Sequence, residues 1–100
     1  MNVIRKKEKY WRVVDKILRR TDIVIEVLDS RFPDETKNSI IKGKIKEYGR
    51  KHIIILNKAD LVPKSVILEH YHELKEIAPT IIFSCKERYG KLRLKNAILK

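Results

Sequence analysis

Three short apolar runs constrain this chain more than any other feature: Ile23 to Leu28, His52 to Leu56 and Thr80 to Phe83. Each run is nearly continuous rather than alternating, and each ends abruptly in polar residues. Strands that are apolar on both faces need cover on both, which is what a parallel sheet in an α/β fold supplies. The intervening segments carry helical spacing instead. From Ile4 to Arg20, the residues Tyr10, Val14 and Ile17, with Trp11 and Leu18, mark one helical face. A helix over Asn38–Tyr48 turns Ile41, Ile45 and Tyr48 to one side, and Gly49 is placed to cap its end. Pro63 suits the first turn of a third helix with Ile67, Tyr71, Leu74 and Ile77 or Ala78 inward, and Pro79 stops it. Gly90 precedes a last helix with Leu94, Ala97 and Ile98 inward.

Right-handed crossovers then set the strands side by side in sequence order. The two middle helices are expected on one face of the sheet, and the first and last helices on the other. The loops that follow the strands leave at a common edge, where open α/β sheets bind their ligands. Asp29, Asn57 and Ser84 should therefore converge.

The residues at that edge have specific chemistry. Asn57-Lys58-Ala59-Asp60 follows the run Ile53-Ile54-Ile55-Leu56 directly, and Ser84-Cys85-Lys86 follows Thr80-Ile81-Ile82-Phe83. Upstream, Ile23 to Leu28 runs into Asp29-Ser30-Arg31-Phe32-Pro33. The first tetrapeptide resembles the guanine-reading motif of the GTPases, and the second segment resembles their other base-contacting loop, usually Ser-Ala-Lys. The third resembles the Asp-Ala-Arg-x-Pro segment of the circularly permuted GTPases of ribosome biogenesis. By this resemblance, the Asp60 carboxylate accepts paired hydrogen bonds from the N1–H and exocyclic amine of guanine. Adenine lacks that donor pair, so such a site rejects it. Asn57 would brace the loop and reach the base edge, and the stem of Lys58 would cover the base face. Ser84, Cys85 and Lys86 would form the second loop. The Cys85 backbone N–H would meet the guanine O6, because exchanging Ala for Cys leaves that donor in place, and Lys86 would pack over the base.

The order of these segments implies a permuted family member. Ordinary GTPases begin with a Gly-x-x-x-x-Gly-Lys-Ser/Thr phosphate loop, whereas permuted ones begin with the base-reading half. The glycines Gly43, Gly49 and Gly90 fit no phosphate-loop pattern, and Gly43-Lys44-Ile45 lacks the hydroxyl that would bind magnesium. The expected fold is thus α/β: a three-layer, partial P-loop-GTPase-like domain with three parallel strands in sequence order and helices on both faces. Residues 1–100 are read as one partial domain, with an N-terminal helix over 4–20 and a base-recognition half over 22–99. The chain is expected to be the first part of a larger GTPase, with no hydrolysis of its own and magnesium bound only by the intact protein. GTP or GDP should bind weakly through base contacts alone, at about −4 kcal/mol or less. In such a protein, the edge of strand 23–28 left open would receive the phosphate-loop strand. Exposed here, it is also a candidate dimerisation edge.

Composition adds partners and a compartment. The net charge is +11, from 24 Lys and Arg against 13 Asp and Glu, and an excess of that size points to a polyanion such as ribosomal RNA or a ribosomal subunit. The basic residues include Arg5, Lys6, Lys7, Arg12, Lys16, Arg19 and Arg20 on the first helix and a cluster from Lys86 to Lys100. Without aromatic-rich strands of the RRM type, binding would be electrostatic and shape-based. The single cysteine, Cys85, fits a reducing compartment. No apolar run reaches the roughly 18 residues of a membrane span, and the start lacks a secretory apolar segment. A cytoplasmic location is expected.

Other residues have plain readings. Asp29, at a strand end, could approach a metal or phosphate; the favoured reading is that it caps its own turn, with Arg31 and Pro33 shaping the same loop. Glu26 interrupts an apolar strand and needs a cationic partner or a place beside further chain. His70 and His72 point in different directions on a helix and do not make a metal site. The second functional reading is a basic α/β module that binds RNA or a protein without a nucleotide site.

Overall fold

A computed structural model describes the backbone of residues 2–100 and the side chains of residues 8–100; the basic side chains Arg5, Lys6 and Lys7 lie outside the described residues. Three strands form one parallel sheet in the order β1–β2–β3: β1 (Ile23–Asp29), β2 (Lys51–Asn57) and β3 (Thr80–Ile82). The helices are α1 (Asn2–Arg20), the short α2 (Pro33–Thr36), α3 (Ser39–Glu47), α4 (Lys64–Leu74) and α5 (Lys91–Leu99). The α/β architecture, the strand order and the helical cover on both faces follow the expectation from the sequence.

The central strand carries the fold. From Ile53 to Leu56 every side chain of β2 is buried, which accounts for the unbroken apolar run at this place. Its even-numbered residues Ile54 and Leu56 pack with Leu28, Leu74 and Ala78, and Tyr71 covers this cluster from α4. The opposite face holds Ile53, Ile55 and Ile81. There Lys51 Nζ donates to the Ile98 carbonyl of α5 at 3.3 Å. That face is only partly covered: Ile25 and Val27 of β1 remain 40% and 57% exposed. The outer edge of β1 pairs with no strand among the described residues.

Local chemistry sets the helix ends. The Asn38 side chain accepts from the Ile40 and Ile41 amides at 3.0 and 3.1 Å, satisfying free donors at the start of α3. Gly49 ends the same helix at φ +65°, as expected, and the Arg50 amide reaches back to the Ile45 carbonyl at 3.0 Å. In one respect the packing departs from expectation. α1 was expected with α5 on the far face, but its described ties run to α3. Asp15 accepts from Lys44 at 2.7 Å, and the Arg50 guanidinium donates to the Leu18 and Arg19 carbonyls at 2.7 and 2.9 Å. Arg50 thereby satisfies carbonyls at the C-terminus of α1 that no helical amide can reach.

Glu26 finds its partner on the neighbouring strand. Its carboxylate lies 3.0 Å from His52 Nε2 and accepts from the Asn38 amide at 3.3 Å. The His52 hydrogen bond, the largest influence, holds the Glu26 carboxyl below its ordinary value against the opposing effect of burial.

Two glycines should respond oppositely to alanine. At Gly90, φ is +96° and a Cβ would lie 2.4 Å from the Ile82 carbonyl oxygen, so Gly90→Ala should lower unfolding stability by about 2 kcal/mol or more. Gly43, inside α3, has nothing within 4 Å of the added atom, and Gly43→Ala should raise stability by about 0.5–1 kcal/mol. Urea unfolding of both variants measures the pair.

Candidate functional site

The parallel register decides which residues meet. Asp29 pairs with Asn57 and Leu56 with Ile82, so the polar segments after all three strands emerge together at one end of the sheet. Backbone bonds then lock them. The Ser30 amide donates to the Asn57 carbonyl at 2.9 Å, joining the loop after β1 to the end of β2. The Ala59 amide donates to the Phe83 carbonyl at 3.2 Å, joining the loop after β2 to the loop after β3.

Between these ties the chain turns sharply. Lys58 lies at φ +58°, a left-handed conformation that costs a non-glycine residue about 1 kcal/mol or more. A single 3₁₀ turn, Ala59–Leu61, follows. The strain at Lys58 is maintained by the bonds on either side, including Leu61 amide to Lys58 carbonyl at 3.0 Å. Its effect is to turn the chain so that Asp60 comes to Ser84.

That meeting is the centre of the site. The hydroxyl of Ser84, a residue only 1% exposed, donates to Asp60 Oδ1 at 2.6 Å. The same hydroxyl accepts from the Glu87 amide at 3.0 Å. A hydroxyl-to-carboxylate bond of this length is among the stronger hydrogen bonds proteins make. Asp60 Oδ2 makes no hydrogen bond among the described residues, and a carboxylate has lone pairs for further donors on both oxygens.

The second loop is closed on itself. Ser84 and Tyr89 exchange two backbone bonds at 3.1 Å, leaving Cys85 and Lys86 exposed between them. The Cys85 amide makes no hydrogen bond among the described residues, and its thiol is free. Tyr89 and Gly90 were not singled out as parts of this site by the sequence. The only signal was a glycine after an aromatic residue, whose need shows in the Gly90 backbone pressed against Ile82 and Phe83. The structure thus joins Asp60 directly to Ser84, sets Asn57 beside the loop after β1, and leaves the Lys58, Cys85 and Lys86 side chains at the surface.

Asp29 shapes its own turn, as expected. Its carboxylate takes the Arg31 amide at 2.9 Å and the Arg31 guanidinium through both oxygens, at 3.0 and 2.8 Å. The Arg31 side chain, followed by its amide, holds this carboxyl far below the usual range. Lys58 Nζ adds a looser contact at 3.7 Å, a link between loops that the sequence reading lacked. Both Asp29 oxygens are thus engaged by Arg31. The described residues contain no group of three or more His, Cys, Asp or Glu that could hold a metal ion.

No family model matches the chain. Three relatives give its kinship. It is 42% identical over 93 residues to an uncharacterized GTP-binding protein of Methanocaldococcus jannaschii, covering 93% of this chain and 24% of the relative. It is 38% identical over 87 residues to nucleolar GTP-binding protein 2 of Cryptococcus neoformans, covering 83% of this chain and 13% of the relative. It is 30% identical over 78 residues to a nuclear GTP-binding protein of Saccharomyces cerevisiae, covering 77% of this chain and 15% of the relative. The chain therefore spans about a quarter or less of the length of these relatives. The kinship read from the three motifs is borne out. The cytoplasmic location is not: relatives carry nuclear and nucleolar names, which overturns a generic cytoplasmic placement.

Ser84→Ala should cost about 1–2 kcal/mol of stability, because it removes a buried hydroxyl that serves both a carboxylate and an amide. Urea unfolding reads the loss. In amide NMR the largest shifts should fall on residues 59–61 and 85–89.

Proposed function

We propose that this chain, a homologue of one segment of the GTP-binding proteins, is the guanine base-recognition portion of a longer, circularly permuted GTPase. The observation that carries this reading is the 2.6 Å bond from buried Ser84 to Asp60. It fixes one carboxylate oxygen and leaves the other open for donors. Asp60 accepts the N1–H and exocyclic amine of guanine. Asn57 braces the turn, and the Cys85 amide, which lacks a partner among the described residues, donates to O6. Lys58 and Lys86, exposed on the two loops, cover the base.

The phosphates and magnesium belong elsewhere in the longer protein. Nothing in Gly43-Lys44-Ile45 supplies a backbone cradle, since it lies within α3. Asp29 is already taken by Arg31. Hydrolysis is therefore assigned to the whole protein and not to this chain. The partly bare β1 face at Ile25 and Val27, beside a strand edge that is unpaired among the described residues, is consistent with more sheet joining there. The net charge of +11 supports a ribosomal RNA partner.

Titration with GDP and with ADP into the millimolar range, followed by two-dimensional amide NMR, tests the reading. GDP alone should shift residues 57–60 and 84–86, and Asp60→Ala should abolish that preference without loss of the folded spectrum. A folded chain blind to both nucleotides would favour the basic α/β module with no nucleotide site. An equal response to GDP and ADP would remove Asp60 from its role.

A further inference from the structure

Four cations from three parts of the chain meet at the far end of the sheet. Lys51 opens β2, Lys75 follows α4, Arg93 lies in α5 and Lys100 follows it. All four line one cavity of about 600 Å³ at the outer edge of β3, with Tyr71 and Ile81 on its apolar wall. No Asp or Glu lines this cavity, and none of the four side chains forms an ion pair among the described residues. Elsewhere on the surface positive charge is partly offset, as at Lys44 with Asp15 and Lys37 with Asp34.

The convergence needs an explanation. A solvated helix face places its cations on one element at helical spacing, as Arg12 and Lys16 do on α1. Here the fold draws them from three elements, the start of β2, the end of α4 and α5, around an apolar floor. Unpaired like charges repel one another, and a polyanion relieves that repulsion while releasing its own counterions. A cationic rim around aromatic and aliphatic surface also suits single-stranded nucleic acid, whose phosphates meet the rim while a base lies on the floor. The volume falls within the roughly 300–1,000 Å³ of ligand clefts.

We infer that this cavity is a single-stranded RNA site, reading phosphates with Lys51, Lys75 and Arg93 and seating a base against Tyr71. The inference deepens the RNA-partner reading and rests on it. The site is independent of the guanine loops. Lys51 and Asn57 are the two ends of β2, so seven residues of strand, about 20 Å, separate them. RNA and guanine nucleotide should therefore bind together without competing.

Fluorescence anisotropy with a short labelled oligouridylate, read over a series of salt concentrations, tests this on the full chain. Lys75→Glu with Arg93→Glu should weaken binding at least about tenfold and lower the logarithmic salt slope by about 1.4, two phosphate contacts at roughly 0.7 each. Arg12→Glu with Lys16→Glu, an equal change in net charge on α1, should weaken it no more than about twofold, as expected when general electrostatics contribute but contacts do not. Amide spectra report that both variants are folded, and GDP shifts should persist in both. Equal losses in the two variants would overturn the cavity as the site while leaving RNA binding in place. No binding by the unaltered chain would overturn the RNA partner itself, and competition by polyglutamate as strong as by unlabelled RNA would mark the cavity as a site for acidic protein.

Discussion

The pairing of β2 on both of its edges is the constraint on which the rest of the molecule depends. With neighbours on each side and helices above and below, its residues from Ile53 to Leu56 must all be apolar. Because the pairing is parallel on both sides, every chain reversal after a strand is delivered to the same end of the sheet. A one-residue slip would exchange the two faces of a strand and bring different residues to that end. Burial of β2 therefore fixes the meeting of Asp29, Asn57 and Ser84 before any polar group contributes.

Polar chemistry then refines what the sheet brings together. The strained turn at Lys58 exists because Ala59 is tied to Phe83 and Asp60 to Ser84, across two loops. Cost and hold are close together in space, as expected where a backbone departs from its preferred conformation for a site. The carboxylates divide by role. Asp29 is consumed by Arg31 and builds structure, Glu26 joins β1 to His52 and to the start of α3, and Asp60 alone in this group keeps an oxygen without a partner among the described residues.

Much of this was legible in the sequence because period and punctuation agreed. Continuous apolar runs marked the strands, Gly49 marked the end of α3, and polar segments after β2 and β3 marked the candidate site. What escaped was tertiary. The placement of α1 depends on a salt bridge and two guanidinium bonds from residues roughly 30 positions away, and helical periodicity carries no information on which neighbour a helix chooses. Glu26 had an evident need for a partner, but His52 could be chosen only once the strand register was known. The cationic cavity was invisible for the same reason: a count of lysines does not tell which of them share a wall. β3 also proved shorter than its apolar run, ending at Ile82, although the Phe83 amide still bonds to Leu56 at 2.9 Å.

In the proposed function, Asp60 reads the donor pair of guanine. Xanthine carries a carbonyl where guanine carries its exocyclic amine, so exchanging the carboxylate for an amide should match the exchanged base. The most direct measurement is an amide NMR titration of the Asp60→Asn chain with xanthosine diphosphate and with GDP. If Asp60 plays this part, preference inverts, with xanthosine diphosphate shifting residues 57–60 and 84–86 and GDP losing its effect. A folded variant that still preferred GDP would contradict it.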